Sequence, residues 1–312
     1  MPLDADISSR QVEAFRAAYV ALVGRPNVGK STLVNRLLGQ KLSIVSPRPQ
    51  TTWHRILGIK TLPRAQLLFL DTPGMHKSAA VFNQSLARAA LRAMADADII
   101  LWLIDASQPE DPDDQLILEQ LRERKPARSP VILAINKVDL VEKLLLLPLM
   151  DRWREAHPFA EIVPISATDG DNVDRLESLL VQYAPAGQPF YPSDELSDRP
   201  ERFFIAEIIR EQAFALLRQE LPYAAAVQVE AVKAREGQDL TDVEATIYVE
   251  KNAQKGIVIG AGGKMLKKIG ERARPAIAEL LGTRVFLRLW VKVQEGWRKD
   301  AAALRRFGYL EP

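Results

Sequence analysis

The 312-residue chain has no cysteine, which removes disulfides, thiolate metal sites and cysteine nucleophiles from any account of it. Histidine is nearly absent. His54, His76 and His157 lie too far apart to suggest a zinc centre. No long apolar run exists either: the longest, at 144–150, falls far short of the about 20 residues a helix needs to span a bilayer. Residues 1–16 lack the basic-then-apolar pattern of an export signal and read as a polar leader, so a cytoplasmic protein is expected. A strong net charge is also missing, but the overall +2 conceals an asymmetry. Residues 251–312 hold 14 Lys and Arg against 5 Asp and Glu, whereas the remainder holds 28 against 35. A basic block on an acidic body points to a polyanionic partner for the C-terminal part, either nucleic acid or an anionic membrane.

What the chain does have begins at Tyr19. A short apolar run to Val23 reads as a buried strand. It is followed by Gly24, Arg25, Pro26, Asn27, Val28, Gly29, Lys30 and Ser31, with Thr32 opening a helix that ends near Gly39. This is the phosphate-binding pattern G-x-x-x-x-G-K-[ST] in its strand–loop–helix setting. Glycines allow consecutive N–H groups to face an anion, and the helix N-terminus adds partial positive charge. Lys30 can reach the β- and γ-phosphates, and the Ser31 hydroxyl can hold Mg²⁺.

Further strands are expected at 55–61, 65–70, 99–104, 131–135 and 161–165, with helices at 81–95, 115–124, 147–156 and 173–183. This alternation predicts an α/β domain over 17–184 with a doubly wound, mostly parallel sheet, whose ligand groups lie at strand C-termini. The second of these strands delivers Asp71, Thr72, Pro73 and Gly74. Asp71 can order a Mg²⁺ water shell, and Gly74 can bring its N–H to a γ-phosphate. Asn136, Lys137 and Asp139 follow another strand. An ionised carboxylate only accepts hydrogen bonds, so Asp139 matches guanine N1–H and N2–H₂, a pair adenine lacks. Asn136 can tie loop to base, the Lys137 stem can lie along the base plane, and Ser166–Ala167 can offer a backbone N–H to the guanine carbonyl. The nucleotide is therefore GTP or GDP. The Pro-containing connection at 40–54 carries Thr51 and Thr52 in the interval where a GTPase places its mobile metal-side threonine. Thr52 is favoured, with Thr51 left open. The metal set is Ser31, Thr52 and, through water, Asp71.

Residues 185–201, with Pro185, Pro189, Pro192 and Pro200, read as a linker. Beyond it, 202–312 is expected as a smaller α/β domain: helix 203–217, strands 224–234 and 243–250, a Gly-rich loop and Lys-rich helix, strand 284–293, and a basic helix at 297–307. Gly260, Ala261, Gly262 and Gly263, followed by Lys264, Lys267 and Lys268, match the loop with which KH modules clamp a nucleic-acid backbone.

These motifs together resemble the Era family of bacterial GTPases that end in a KH domain. The likeness spans Ala18 to Leu310 and includes Leu289–Val293 and Gly296–Trp297. It implies a type II KH domain, binding near the 3′ end of small-subunit ribosomal RNA, a role in assembling the 30S subunit and maturing its RNA, and loose association with the inner membrane. No DNA partner is implied, and a monomer is expected. Trp53 and Gly262 stand where that family usually has Arg and Lys. Lys30, Thr52, Gly74 and Asn27 are the residues expected to serve hydrolysis. The place where many GTPases carry a water-positioning Gln holds Met75. GTPases that pair Asn at position 27 with a hydrophobic residue there often use K⁺, which makes K⁺ a candidate activator. The competing reading is a membrane-surface signalling GTPase that acts mainly through protein partners.

Overall fold

The computed structural model describes residues 14–40, 56–72, 74, 90–124, 129–218 and 221–307. The expected helix at 81–95 is described only from residue 90, where residues 90–96 are helical.

The N-terminal unit contains strands β1 (Arg16–Val23), β2 (Ile56–Leu62), β3 (Ala65–Asp71), β4 (Ile99–Asp105), β5 (Val131–Asn136) and β6 (Glu161–Pro164). Besides the helical residues 90–96, it has helices α1 (Lys30–Leu38), α2 (Pro112–Glu123), α3 (Leu146–Ala156) and α4 (Val173–Tyr183). The sheet order is β2-β3-β1-β4-β5-β6. Among the described strands only β2 runs antiparallel to its neighbour. Every residue of β3 and β4 is buried, the pattern of strands covered on both faces. On one face Leu33, Val34 and Leu37 of α1 and Leu176 and Leu180 of α4 pack on the sheet. On the other, Ile117, Leu118 and Leu121 of α2 meet Trp102 of β4 and Trp153 of α3. Those two indoles stack edge to face at 5.0 Å. The expected doubly wound sheet is present.

The C-terminal unit runs α5 (Glu201–Leu216), β7 (Ala226–Ala234), β8 (Leu240–Val249), α6 (Asn252–Ile259), α7 (Lys264–Leu281), β9 (Arg284–Val293) and the short α8 (Ala301–Arg306). β7 and β8 are antiparallel, whereas β8 and β9 are parallel. Ile205, Ile208 and Ile209 of α5, Val258 of α6, and Ile269, Ala273 and Ile277 of α7 share one core with the sheet. α6 is not among the elements expected from the sequence, and Gly256 with three β-branched residues gives it low helix propensity. A capping arrangement starts it: Gln254 accepts from the Glu250 and Lys251 N–H groups at 2.9 and 3.0 Å. The expected helix at 297–307 is broken. A turn at Trp297–Lys299 precedes α8, and Asp300 caps α8 through the Ala302 N–H at 2.9 Å. No described helix is long and apolar enough to cross a membrane.

The Pro-rich stretch between the units is bound to the N-terminal sheet. Gln66, fully buried on β3, accepts from Phe190 N (2.7 Å) and Tyr191 N (3.0 Å) and donates to Tyr191 O (2.8 Å). Ile59 N donates to Leu196 O at 2.8 Å, and Ser197 Oγ donates to Leu57 O at 2.6 Å.

Candidate functional site

The parallel register places Leu22 beside Asp71 and Asp105 beside Asn136, so all four strand ends open on one edge. Val23 leads directly into the Gly-rich loop there. Gly24 has φ +154, and a Cβ on it would fall 2.6 Å from Leu103 O. Gly29 has φ +100, and a methyl there would run into the Asn136 amide. Only glycine fits either place. Asn27 also takes a left-handed conformation, φ +63, which a short polar residue tolerates.

Lys30 lies buried across this loop, its Nζ donating to Gly24 O and Arg25 O, both at 2.9 Å. Burial brings its pKa down to about 8, partly countered by Asp71 and Asp114. An entering polyphosphate supplies the negative charge this ammonium is short of. Ser31 Oγ donates to Asp71 Oδ2 at 3.0 Å. The pair offers hard oxygen donors of the kind Mg²⁺ prefers, so the residues present suit that ion. Among the described residues no cluster of three or more His, Asp or Glu forms any other metal site. Gly74 sits against the loop, where a Cβ would lie 2.6 Å from Pro26 N. Thr72 Oγ1 donates to Leu22 O at 2.5 Å, which fixes the start of that motif. Thr51, Thr52, Trp53, Pro73 and Met75 lie outside the described residues.

The base-reading residues form one frame. Asn136 Nδ2 donates to Val28 O at 2.7 Å, and Asn136 Oδ1 accepts from Ala167 N at 2.9 Å. A single side chain thus joins the phosphate loop to the Ser166–Ala167 turn. Lys137 has φ +66, and its Nζ donates to Asp105 Oδ2 at 2.5 Å. Asp139 stands exposed on the following turn, open to an incoming base.

Three supporting groups were not anticipated. Asp105 is nearly fully buried. Burial works to raise its pKa, but hydrogen bonds from Lys137 and Ser107 outweigh it and the net change is downward. It ends β4 as Asp71 ends β3, so the strand-end rule could have found it. Arg36 of α1 donates from Nε to Ala167 O at 2.7 Å and from its terminal nitrogen to Thr168 O. The third group surrounds Arg25. Its guanidinium meets Asp114 Oδ2 (3.2 Å), Gln108 Oε1 (2.9 Å) and Asp111 Oδ2 (3.1 Å), which ties the loop to the start of α2.

Asp114 is raised to about 6, chiefly by burial, against the pull of Arg25 and with added push from Asp111 and Asp113. An acid whose folded pKa exceeds its ordinary 3.8 binds its proton more tightly in the fold. It therefore favours folding most at low pH and loses that contribution as pH rises through about 6. Relative to Asp114→Asn, the wild-type chain should lose roughly 2–3 kcal/mol of stability between pH 4 and 7. Denaturant unfolding read from the Trp102 and Trp153 fluorescence checks this; a pH-independent difference would contradict it.

At the C-terminal loop, Gly260 has φ +72, and a Cβ there would lie 2.7 Å from Met265 Cβ. Gly262 (φ +59) and Gly263 (φ +78) face open space. Lys264, Lys267 and Lys268 are exposed on the first turns of α7. The loop thus presents bare backbone beside three ammonium groups.

Comparison with known proteins adds independent support. A family model described as a 50S ribosome-binding GTPase matches residues 19–137, and a KH-domain model matches 220–298. A GTPase Era of Geobacter metallireducens is 48% identical over 295 residues, covering 95% of this chain and 98% of its own. A GTPase Era of Syntrophus aciditrophicus is 46% identical, with 95% and 96% covered. Among solved structures, Era in complex with MgGDPNP and nucleotides 1506–1542 of 16S ribosomal RNA superposes with TM-score 0.88 at 42% identity, covering 95% of this chain and 100% of that one. A point variant of Aquifex aeolicus Era bound to GDP·AlF₄⁻ gives the same TM-score at 41% identity, with the same coverage.

Proposed function

Because the chain belongs to the Era family of KH-domain GTPases, we propose that its GTP cycle times the grip of the KH domain on the 3′ end of 16S ribosomal RNA during assembly of the small subunit. The observation that carries this is the likeness, over nearly the whole chain, to an Era structure holding both MgGDPNP and that RNA segment. The bare Gly260–Gly263 backbone supports it, since a lipid tether has no need of such a loop. The likeness to 50S ribosome-binding GTPases covers residues 19–137 of the GTPase half alone.

Phosphoryl transfer asks a protein mainly for positioning and charge stabilisation. The loop N–H groups from Gly24 to Ser31, Pro26 excepted, orient the phosphates, and Lys30 leaves its two carbonyl acceptors to meet them. Ser31 would hold Mg²⁺ directly and Asp71 through water, with Thr52 as the proposed third residue. When bound, that ion neutralises charge on the β- and γ-phosphates. Gly74 brings a backbone N–H against the γ-phosphate. Asn136, Lys137, Asp139, Ser166 and Ala167 hold guanine, which keeps the reacting end in register.

Gly263→Asp tests the RNA half. A carboxylate then stands where phosphate must lie, so RNA affinity should fall sharply while RNA-independent GTP hydrolysis persists. Gly260→Asp should do the same but also disturb packing at Met265. For the wild type, about four to six neutralised phosphates on a single strand predict a log-affinity against log-salt slope of roughly −3 to −4. A flat salt response, or unchanged RNA binding by Gly263→Asp, would remove the phosphate clamp.

A further inference from the structure

Strand β9 has a face that the Gly260–Gly263 loop does not use. Its alternate residues Val285, Leu287, Leu289, Val291 and Val293 pack into the core shared with α5, α6 and α7. The intervening residues Arg284, Phe286, Arg288, Trp290 and Lys292 all point the other way and are exposed. Along that face cation and aromatic alternate without a break. Phe286 is 46% and Trp290 43% exposed, whereas Trp102, Trp153 and Trp297 are at most 2% exposed. β9 is also an edge strand, next to β8 alone, so a chain crossing its free side meets no third strand.

Same-face residues on a strand are about 6.8 Å apart, so the two rings stand roughly 14 Å apart with the Arg288 guanidinium between them. The carboxylates on β8 are already matched: Glu244 by Arg288, and Asp242 by Arg235 at 2.7 and 2.8 Å. Arg235 and Arg288 also lie 5.6 and 5.8 Å from the Phe286 ring centre. Exposed flat rings interleaved with cations suit stacked bases and intervening phosphates. A lipid surface would call for the rings to form one apolar patch with cations at its rim, whereas here Arg288 separates them.

We propose that the outward face of β9 is a second strip for single-stranded RNA, on which bases stack against Phe286 and Trp290 while Arg284, Arg288 and Lys292 meet the phosphates. The proposal rests on the RNA-binding function argued above. A KH loop clamps about four nucleotides, so the strip takes nucleotides beyond those, reached around the free edge of β9.

The experiment compares the full-length wild type with the Phe286→Ala/Trp290→Ala double variant by fluorescence anisotropy, using 3′-terminal small-subunit RNA fragments of about five and about fifteen nucleotides. The double variant should bind the short fragment as the wild type does and lose about thirtyfold affinity or more for the long one, since two bases lose their stacking partners. Phe286→Tyr/Trp290→Tyr should keep most of the wild-type affinity, since the rings remain. Equal loss on both fragments, no loss on either, or a loss on phosphatidylglycerol vesicles in place of RNA would overturn the strip. Failure of the wild type to bind either fragment would overturn the RNA function itself, and the strip with it. A strip that fails alone leaves short-fragment binding sensitive to Gly263→Asp.

Discussion

Asp139→Asn should lower GTP affinity by about 10²- to 10⁴-fold and make xanthosine triphosphate the better ligand. Two charge-assisted hydrogen bonds to guanine, at about 1.5–3 kcal/mol each, set that range. The mutant amide can donate to the 2-carbonyl of xanthine, which the carboxylate cannot. The frame around the base should survive, because Asn136 makes its contacts to Val28 and Ala167 independently of Asp139, and Asp139 is exposed. Calorimetric titration with both nucleotides checks the switch. Undiminished GTP binding by the variant would mean that guanine is read elsewhere.

Turnover in KCl should exceed turnover in NaCl at equal ionic strength, and Asn27→Ala should abolish the difference. Asn27 is one of three described residues other than glycine with positive φ, and such conformations concentrate at working sites. K⁺, when held there, supplies positive charge beside the β–γ bridge as an arginine finger does. A finger is worth about 10³–10⁵ in rate, so a monovalent ion at or below the lower end gives a gain of about ten- to a thousandfold. Alanine at φ +63 also strains the backbone, so Asn27→Gly is the cleaner companion: it keeps the left-handed turn and removes only the amide. Both variants should respond equally to the two salts. Identical wild-type rates in KCl and NaCl would reject the K⁺ effect and leave acceleration to an external partner.

The parts of this molecule that could be read in advance are those where chemistry and backbone period coincide. Gly24 to Ser31, Asp71 and Asn136 to Asp139 each follow a buried apolar run, and such runs in a parallel sheet end on one edge. Neither the Lys137–Asp105 pair nor the bonds from Arg36 to Ala167 and Thr168 carried a local signal, since their partners are 32 to 132 residues apart. Arg25 looked like one loop residue among several, and only the fold brings Gln108, Asp111 and Asp114 around it. Helix α6 was missed because its stability comes from its cap and from Val258 in the core rather than from helix-favouring residues. Along β9, Val and Leu alternating with Arg and Lys already separate a core face from a solvent face, but its place at the edge of the sheet comes only from the fold.

Gln66 bears on where this molecule can be divided. A fragment ending at Ala184, just after α4, would keep every strand and helix of the first domain but bare the partners of Phe190, Tyr191, Leu196 and Ser197 on β2 and β3. The five hydrogen bonds lost to water are worth about 0.5–1.5 kcal/mol net each, together a large share of a domain's usual margin of about 5–15 kcal/mol. The cooperative unit of unfolding therefore extends to about residue 197, past the last helix of the sheet domain. The proline-rich segment closes that unit as a clasp, so a cut that keeps the sheet domain whole has to fall after Ser197, at the cost of the contact between Phe204 of α5 and Ile56 of β2.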